Sequence, residues 1–512
     1  MSTEPISAEP VSTAPTSTAP TSSTPAVAAA GGPDRPTALV IGGGLAGVTT
    51  ALTLAERGWS VTLAEARPRL GGRATSYRRG DLTVDNGQHV FLRCCTAYRG
   101  LLERLGAGPE TGLTRLQKQL DITVRNAEDG VDARLHRARV PAPLHLAAAL
   151  GGYKLLPVRD RLRLGGAALA LRRTDPDSAA VDARGFGPFL REHRQSQASI
   201  DRLWSVISTA TLNIAPDEAS LALAAKVFRT GLLETAGGSD LGYALVPLGR
   251  IHDELARKAL AEAGVTVLDS TKAERLLDGP AAGARLVDRT EQATDLTADA
   301  VVLAVPHDVA AELLPGPHPT EFARLGHSPI LNVHLRYDRP VMDDGAVDGM
   351  VLAAVGSPIQ WIFDRTAASG MDGPPGRYIA ITVSAADEIA DKPTRELQEI
   401  FEAETARLLP LARAATLEEF FVTREQHATF RQARGSAPLR PGPCTDVPGV
   451  YLAGAWTATG WPDTMESAVR SGIAAAKMAV RDRGADPART ASAPPAATGA
   501  RATGQDADGR EP

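Results

Sequence analysis

Eight residues near the start of the chain, Val40-Ile41-Gly42-Gly43-Gly44-Leu45-Ala46-Gly47, constrain the fold more than any others. Gly42, Gly44 and Gly47 have the spacing G-x-G-x-x-G, follow a short apolar run from Ala38 to Ile41, and open a helical pattern over Val48 to Arg57. A dinucleotide-binding turn requires that strand-turn-helix setting. Gly42 permits the tight turn, Gly44 lets backbone approach a pyrophosphate at the helix N-terminus, and Gly47 lets helix and strand pack closely. Gly58 ends the helix, and a second apolar run delivers Glu65 about 20 residues on, where a carboxylate accepts ribose hydroxyls.

A glycine turn alone is a weak signal. Here it is followed in order by Glu65 and by Leu70-Gly71-Gly72-Arg73, a combination much harder to produce by chance. Arg73 offers a fixed cation to a pyrophosphate, and the glycines let backbone pass beside a cofactor. The triple favours FAD over NAD.

Residues 1–36 are mostly Ser, Thr, Ala, Pro and Glu, and 483–512 mostly Ala, Pro, Gly and Thr with scattered charges, so both ends read as disordered tails. The remainder is too long for one core and suits two domains. A formal charge of −5 gives no reason to expect nucleic acid. Cys94, Cys95 and Cys444 lack metal-ligand spacing, so no metal is expected, and a reducing, cytoplasmic compartment is. The chain carries no secretory or twin-arginine signal and no 18-residue apolar run. Between Val140 and Arg173, apolar segments alternate with Lys154, Arg159, Arg161, Arg163, Arg172 and Arg173. This pattern fits either an interfacial helix pair in peripheral contact with anionic lipid or a cap-domain helix pair with a solvated basic face.

The expected architecture is α/β: a Rossmann-like nucleotide-binding domain of the glutathione reductase type, with an inserted α+β substrate domain. The first is assigned to residues 37–118, 238–310 and 438–482, the second to 119–237 and 311–437. The block from about Leu120 to Gly237 reads as helical, and Leu331 to Leu335 and Tyr378 to Val383 as strands of an antiparallel sheet. Asp299 to His307 holds a buried parallel strand. Near the end, Val450 to Ala453 runs through Gly454-Ala455 into a long helix starting at Pro462 to Met465. Such an N-terminus stabilises negative charge on a ring placed before it.

With both ends read, the chain resembles the FAD-dependent amine oxidase and phytoene desaturase superfamily, and within it the hydroxysqualene dehydroxylase family. The narrower likeness rests on Asp85-Asn86-Gly87-Gln88-His89, Leu203-Trp204 to Asn213 with Pro216 and Ser220, Ser328-Pro329-Ile330-Leu331-Asn332, and Thr459-Gly460-Trp461-Pro462. The resemblance implies FAD held by Gly42, Gly44, Leu45, Ala46, Gly47, Glu65, Ala66, Gly72, Arg73, Gly87, Gln88, His89, Ala273, Gly454, Ala455, Thr464 and Met465. It implies an isoprenoid substrate, reductive loss of the hydroxyl of hydroxysqualene to give squalene, and upstream enzymes of the squalene route as partners. Two positions depart from the family pattern. Ala455 stands where an Asp is usual, a loss of about 1.5–3 kcal/mol of hydrogen bonding to the cofactor, and Ala273 where an adenine-packing Val is common.

Chemically, an allylic alcohol ionises when its oxygen is protonated or strongly hydrogen-bonded, and the cation survives only where water is excluded. His89, Arg93 and Tyr98 are the candidates for activating that hydroxyl. The residues alone leave open a polyene desaturase or amine oxidase on the same fold, and a lipid-binding protein without catalysis. An aromatic content of 4% leans against an amine cage, and the intact glycine loop leans against a non-catalytic protein.

Overall fold

The computed structural model describes residues 27–28, 35–279, 281–315, 319–342 and 351–484. The expected doubly wound core is present as a five-stranded sheet whose neighbours all run parallel. Its order is Thr266–Leu268, Ser60–Ala64, Thr37–Ile41, Ala300–Leu303, Val450–Leu452. These strands are apolar along their length because helices cover both faces. Helix Leu45–Ala55 lies against the terminal helix Met465–Gly484, and the crossing is close. A Cβ on Gly472 would sit 2.3 Å from the Ala46 carbonyl oxygen, so only glycine fits there.

A seven-stranded sheet forms the second layer, in the order Leu417–Phe430, His327–Tyr337, Tyr378–Ser384, Trp361–Asp364, Val351–Val355, Asp121–Asn126, Asp132–His136. All its pairings are antiparallel except Val351–Val355 with Asp121–Asn126. Here the helical reading of Leu120 to Gly237 needs correction. Asp121–Asn126 and Asp132–His136 form a hairpin that completes the sheet's edge, and the helices begin only near residue 144. Alternating Asp121-Ile-Thr-Val-Arg125 was a strand pattern, outweighed in the reading by the helical residues after it.

At the chain ends, Val27–Ala28, inside the segment read as disordered, pairs in parallel with Leu296–Thr297, which offers free backbone groups at a sheet edge. The last helix runs through Arg483 to Gly484, two residues into the second expected tail, with Arg483 2.9 Å from Asp299. Apart from Arg35 and Pro36, the rest of both tails lies outside the described residues. Cys94, Cys95 and Cys444 are free thiols.

One buried ion pair ties the layers together. Arg365, directly after strand Trp361–Asp364 of the large sheet, meets Asp85 at the end of strand Leu82–Asp85, with both side chains almost fully covered. Asp85 also accepts hydrogen bonds from the Ser76 hydroxyl at 2.6 Å and the Leu248 amide at 2.9 Å. Arg365 reaches the Ala244 carbonyl at 3.3 Å. Replacing one partner strands the other charge away from water. Arg365→Met is expected to lower unfolding free energy by about 3–5 kcal/mol in urea titrations, and a loss under 1 kcal/mol would contradict this account.

Candidate active site

The glycine turn and the Gly71-Gly72-Arg73 loop lie side by side, joined by a hydrogen bond from the Gly71 amide to the Gly43 carbonyl at 2.9 Å. The glycines have separate reasons to be there. A Cβ on Gly42, at φ +104°, would fall 2.4 Å from the Ala304 carbonyl oxygen, and one on Gly47 would fall 1.8 Å from that of Gly42. These two are demanded by the protein itself. Gly44 is different: its Cβ would meet nothing nearer than Gly72 Cα at 3.8 Å. Gly44, Leu45 and Ala46 open an eleven-residue helix with no side-chain cap and no acidic residue in its first turn. A space bordered by bare amides suits a pyrophosphate.

Glu65, buried, accepts from the Gly43 amide at 2.6 Å and the Arg67 amide at 2.9 Å, which fixes its carboxylate against the turn, while Ala66 after it is exposed. Ala273 is buried on strand Thr271–Leu276 opposite Leu286. The Arg73 carbonyl accepts from Asn86 at 3.1 Å, which couples this loop to the Asp85–His89 turn.

In that turn Gly87 has φ +84°, and an added Cβ would press on the Asn332 amide at 3.3 Å. The Gln88 side-chain nitrogen is buried with no partner among the described residues, as expected of a donor reserved for a cofactor. His89 Nδ1 lies 3.2 Å from the Gly87 carbonyl, and burial pushes its pKa below the usual imidazole value. Asn332 was named only as part of a motif; its Oδ1 accepts from Thr382 at 2.9 Å, which leaves its amide against Gly87.

The other two hydroxyl-activating candidates, Tyr98 and Arg93, carry hydrogen bonds to protein partners. Tyr98 is 2% exposed in the core of the nucleotide-binding layer, its hydroxyl 2.9 Å from His252 Nε2, with burial pushing its pKa up. His252 is held in turn by the Ala74 carbonyl at 2.7 Å. Arg93 donates to Asp240 at 2.9 Å and to the Gln117 carbonyl at 2.8 Å, in a cluster with Arg137. Both lie near the expected turn in sequence, but helix Thr96–Arg104 carries Tyr98 back under the first sheet.

At the far end, Gly454 has φ +149°, and its amide donates to Ser471 at 2.8 Å. Ala455 has no acid to offer, yet its carbonyl accepts from Ser467 at 2.9 Å and Arg440 at 3.1 Å. Buried Arg440, not foreseen, also donates to the carbonyls of Trp456, Thr457 and Trp461, and so fixes the loop that leads to Thr464 and Met465. Asp463, also missed, accepts from the Phe430 amide at 2.9 Å. Burial pushes its carboxyl up, against the pull of Arg73 and Arg440.

Asp308, His327 and His427 also gather near Arg73, their ligand atoms all within 4.8 Å of one another. The rings of His327 and His427 stack at 3.9 Å and 12°. Parallel rings keep their lone pairs in separate planes, so in this arrangement the three groups do not converge on one ion.

The chain belongs to the family of flavin containing amine oxidoreductases, which matches residues 45–479. Within it, the chain is 31% identical over 468 residues to the hydroxysqualene dehydroxylase of Rhodopseudomonas palustris, covering 86% of this chain and 98% of that protein. It is 30% identical over 464 residues to that of Sinorhizobium fredii, with the same coverage. The zeta-carotene desaturase of Zea mays is 27% identical, over 85% of this chain and 81% of its own length. Among solved structures, putrescine oxidase bound to putrescine superposes with a TM-score of 0.64 at 18% identity, over 87% of this chain and 99% of that one, a likeness of fold. The protein is an FAD-dependent oxidoreductase, and the bare cradle at Gly44 fits that cofactor.

Gly44→Ala is expected to leave the melting temperature of the apoprotein within about 1 °C, because the Cβ has room, while weakening FAD binding at least about tenfold by fluorescence titration. Equal FAD affinity would overturn the role assigned to Gly44. Burial pushes His252 down to about 4 and His334 to about 3. An unfolded imidazole titrates near 6.5, so the unfolded chain takes up more protons in acid. Stability is then complete above about pH 6.5 and falls as pH drops towards 4, by about 2 kcal/mol per ring at pH 5. Urea titrations at pH 7.5 and 5 check this; a rise at pH 5 would contradict it.

Proposed function

We propose that this protein removes the hydroxyl of hydroxysqualene reductively to give squalene, a step in making hopanoid and triterpenoid precursors. Reduced FAD, when bound, supplies the hydride. Residues 37–118, 238–310 and 438–482 form the cofactor lobe in this reading, and 119–237 with 311–437 the substrate lobe. The observation that carries it is one continuous apolar cluster. It runs from Leu164, Ala167 and Leu171 through Phe186, Trp204 and Phe228, whose rings pack at 5.2–6.3 Å, to Phe430 and Trp456 beside the Gly454 loop. These side chains pack against one another, and a polyisoprenoid needs apolar surroundings of this kind, because a carbocation lasts only where water is kept out.

His89 orients the substrate hydroxyl through a hydrogen bond, since burial keeps its ring neutral. Asp463, with its carboxyl pushed up, retains a proton more readily than an ordinary acid and is the proton source for the departing water. An isoprenoid of this size resides in lipid, so peripheral membrane contact through 140–173 and handover from upstream squalene-route enzymes belong to the same reading.

The test is a single turnover: reduce the FAD-loaded protein without oxygen, add hydroxysqualene, and follow flavin absorbance together with squalene. Stoichiometric flavin oxidation and squalene are expected; flavin that stays reduced sinks the proposal in favour of polyene desaturation. His89→Gln and Asp463→Asn are each expected to slow that oxidation about 10²-fold. Tyr98→Phe should leave the rate within about twofold and cost about 1 kcal/mol of stability.

A further inference from the structure

Helix Val158–Arg173 has two apolar stripes. The inner one, Leu164, Ala167 and Leu171, is buried in the large core cluster. At about 100° per residue, Val158, Leu162 and Leu169 fall on the opposite side, facing solvent, with exposures of 62%, 80% and 46%. Leu144, in the short turn Leu144–Leu146 that precedes the helical segments, is 67% exposed. Among the described residues, five of the eight large apolar side chains left exposed lie between Val140 and Leu169, so the exposure is concentrated in one stretch of the chain. A soluble helix normally turns its second face to water with polar residues.

The rim of the patch is basic. Lys154, Arg159, Arg163, Arg172 and Arg173 are all exposed, and the only acid of the segment, Asp160, is buried and accepts from Ser196 at 2.8 Å. This local excess of positive charge stands out in a chain of formal charge −5. A second copy of the same face would bring these cations together, whereas an anionic lipid surface meets both the charge and the apolar ridge.

We propose that the outer face of helix Val158–Arg173, with Leu144, docks on an anionic phospholipid bilayer, Leu162 and Leu169 entering the acyl boundary and the arginines binding headgroups. The inner face of the same helix belongs to the apolar core cluster, so docking brings that part of the molecule next to the lipid. No described helix is long and apolar enough to cross a membrane, which makes this contact peripheral. Only the link to substrate delivery rests on the isoprenoid reading; the docking itself does not.

The experiment is sedimentation of the FAD-loaded full chain with phosphatidylcholine vesicles and with phosphatidylcholine–phosphatidylglycerol vesicles, without substrate. Binding is expected to need phosphatidylglycerol, to weaken with salt, and to fall at least about tenfold in Leu162→Glu/Leu169→Glu and in Arg172→Glu/Arg173→Glu. All four side chains are exposed, so flavin content and melting temperature serve as the folding control. Binding unchanged in both double variants overturns the proposal. So does absence of vesicle binding together with a dimer in sedimentation velocity that Leu162→Glu dissociates, which would make the ridge a contact between copies. A failed single turnover with intact vesicle binding would count against the hydroxysqualene reading alone.

Discussion

The ion pair between Asp85 and Arg365 is the contact on which the site's assembly depends. Asp85 ends a strand of the small hairpin next to the glycine turn, and Arg365 leaves the large sheet. Between them they fix the start of the Asn86–His89 turn, which places Gly87 against Asn332 of the second layer. Two unshielded charges in such a place would be costly. Ser76, Leu248 and Ala244 supply the remaining hydrogen bonds, so the pair holds a single register between the layers.

Around that joint the polar groups divide by role. Tyr98, His252 and Arg93 are bonded to protein partners and secure the nucleotide-binding layer. Among the described residues the Gln88 side-chain nitrogen has no such partner, and the helix that Gly44 opens has no side-chain cap. Arg440 secures the loop before the last helix. Its guanidinium donates to the carbonyls of Ala455, Trp456, Thr457 and Trp461 and so fixes the approach to the last helix.

Helix Val158–Arg173 illustrates how one element can serve two environments. Its inner stripe contributes to the core, and its outer stripe is unusable by the core because it faces away. A sequence pattern of leucines and arginines does not say which stripe is covered. The packing of Leu164 and Leu171 decides it.

Much of the fold was legible because it rests on local rules. The strand-turn-helix glycines, Glu65 at a strand tip, and the buried parallel strand after Asp299 each follow from spacing along the chain, and the FAD cradle follows with them. The strands Asp121–Asn126 and Asp132–His136 were misread because a helical stretch beside them dominated the pattern. The partners of Tyr98 and Arg93, His252 and Asp240, come from segments about 150 residues away, so the sequence does not reveal that these two side chains are hydrogen-bonded within the protein. Asn332, Arg440 and Asp463 come from segments far apart in the chain, and nothing in spacing marks where such side chains meet. The sequence by itself determined the cofactor class and the nucleotide-binding layer, since a phosphate-binding turn is a property of consecutive backbone. Only the tertiary structure decided which polar side chains are consumed by the protein and which remain free, because that depends on partners supplied by distant strands.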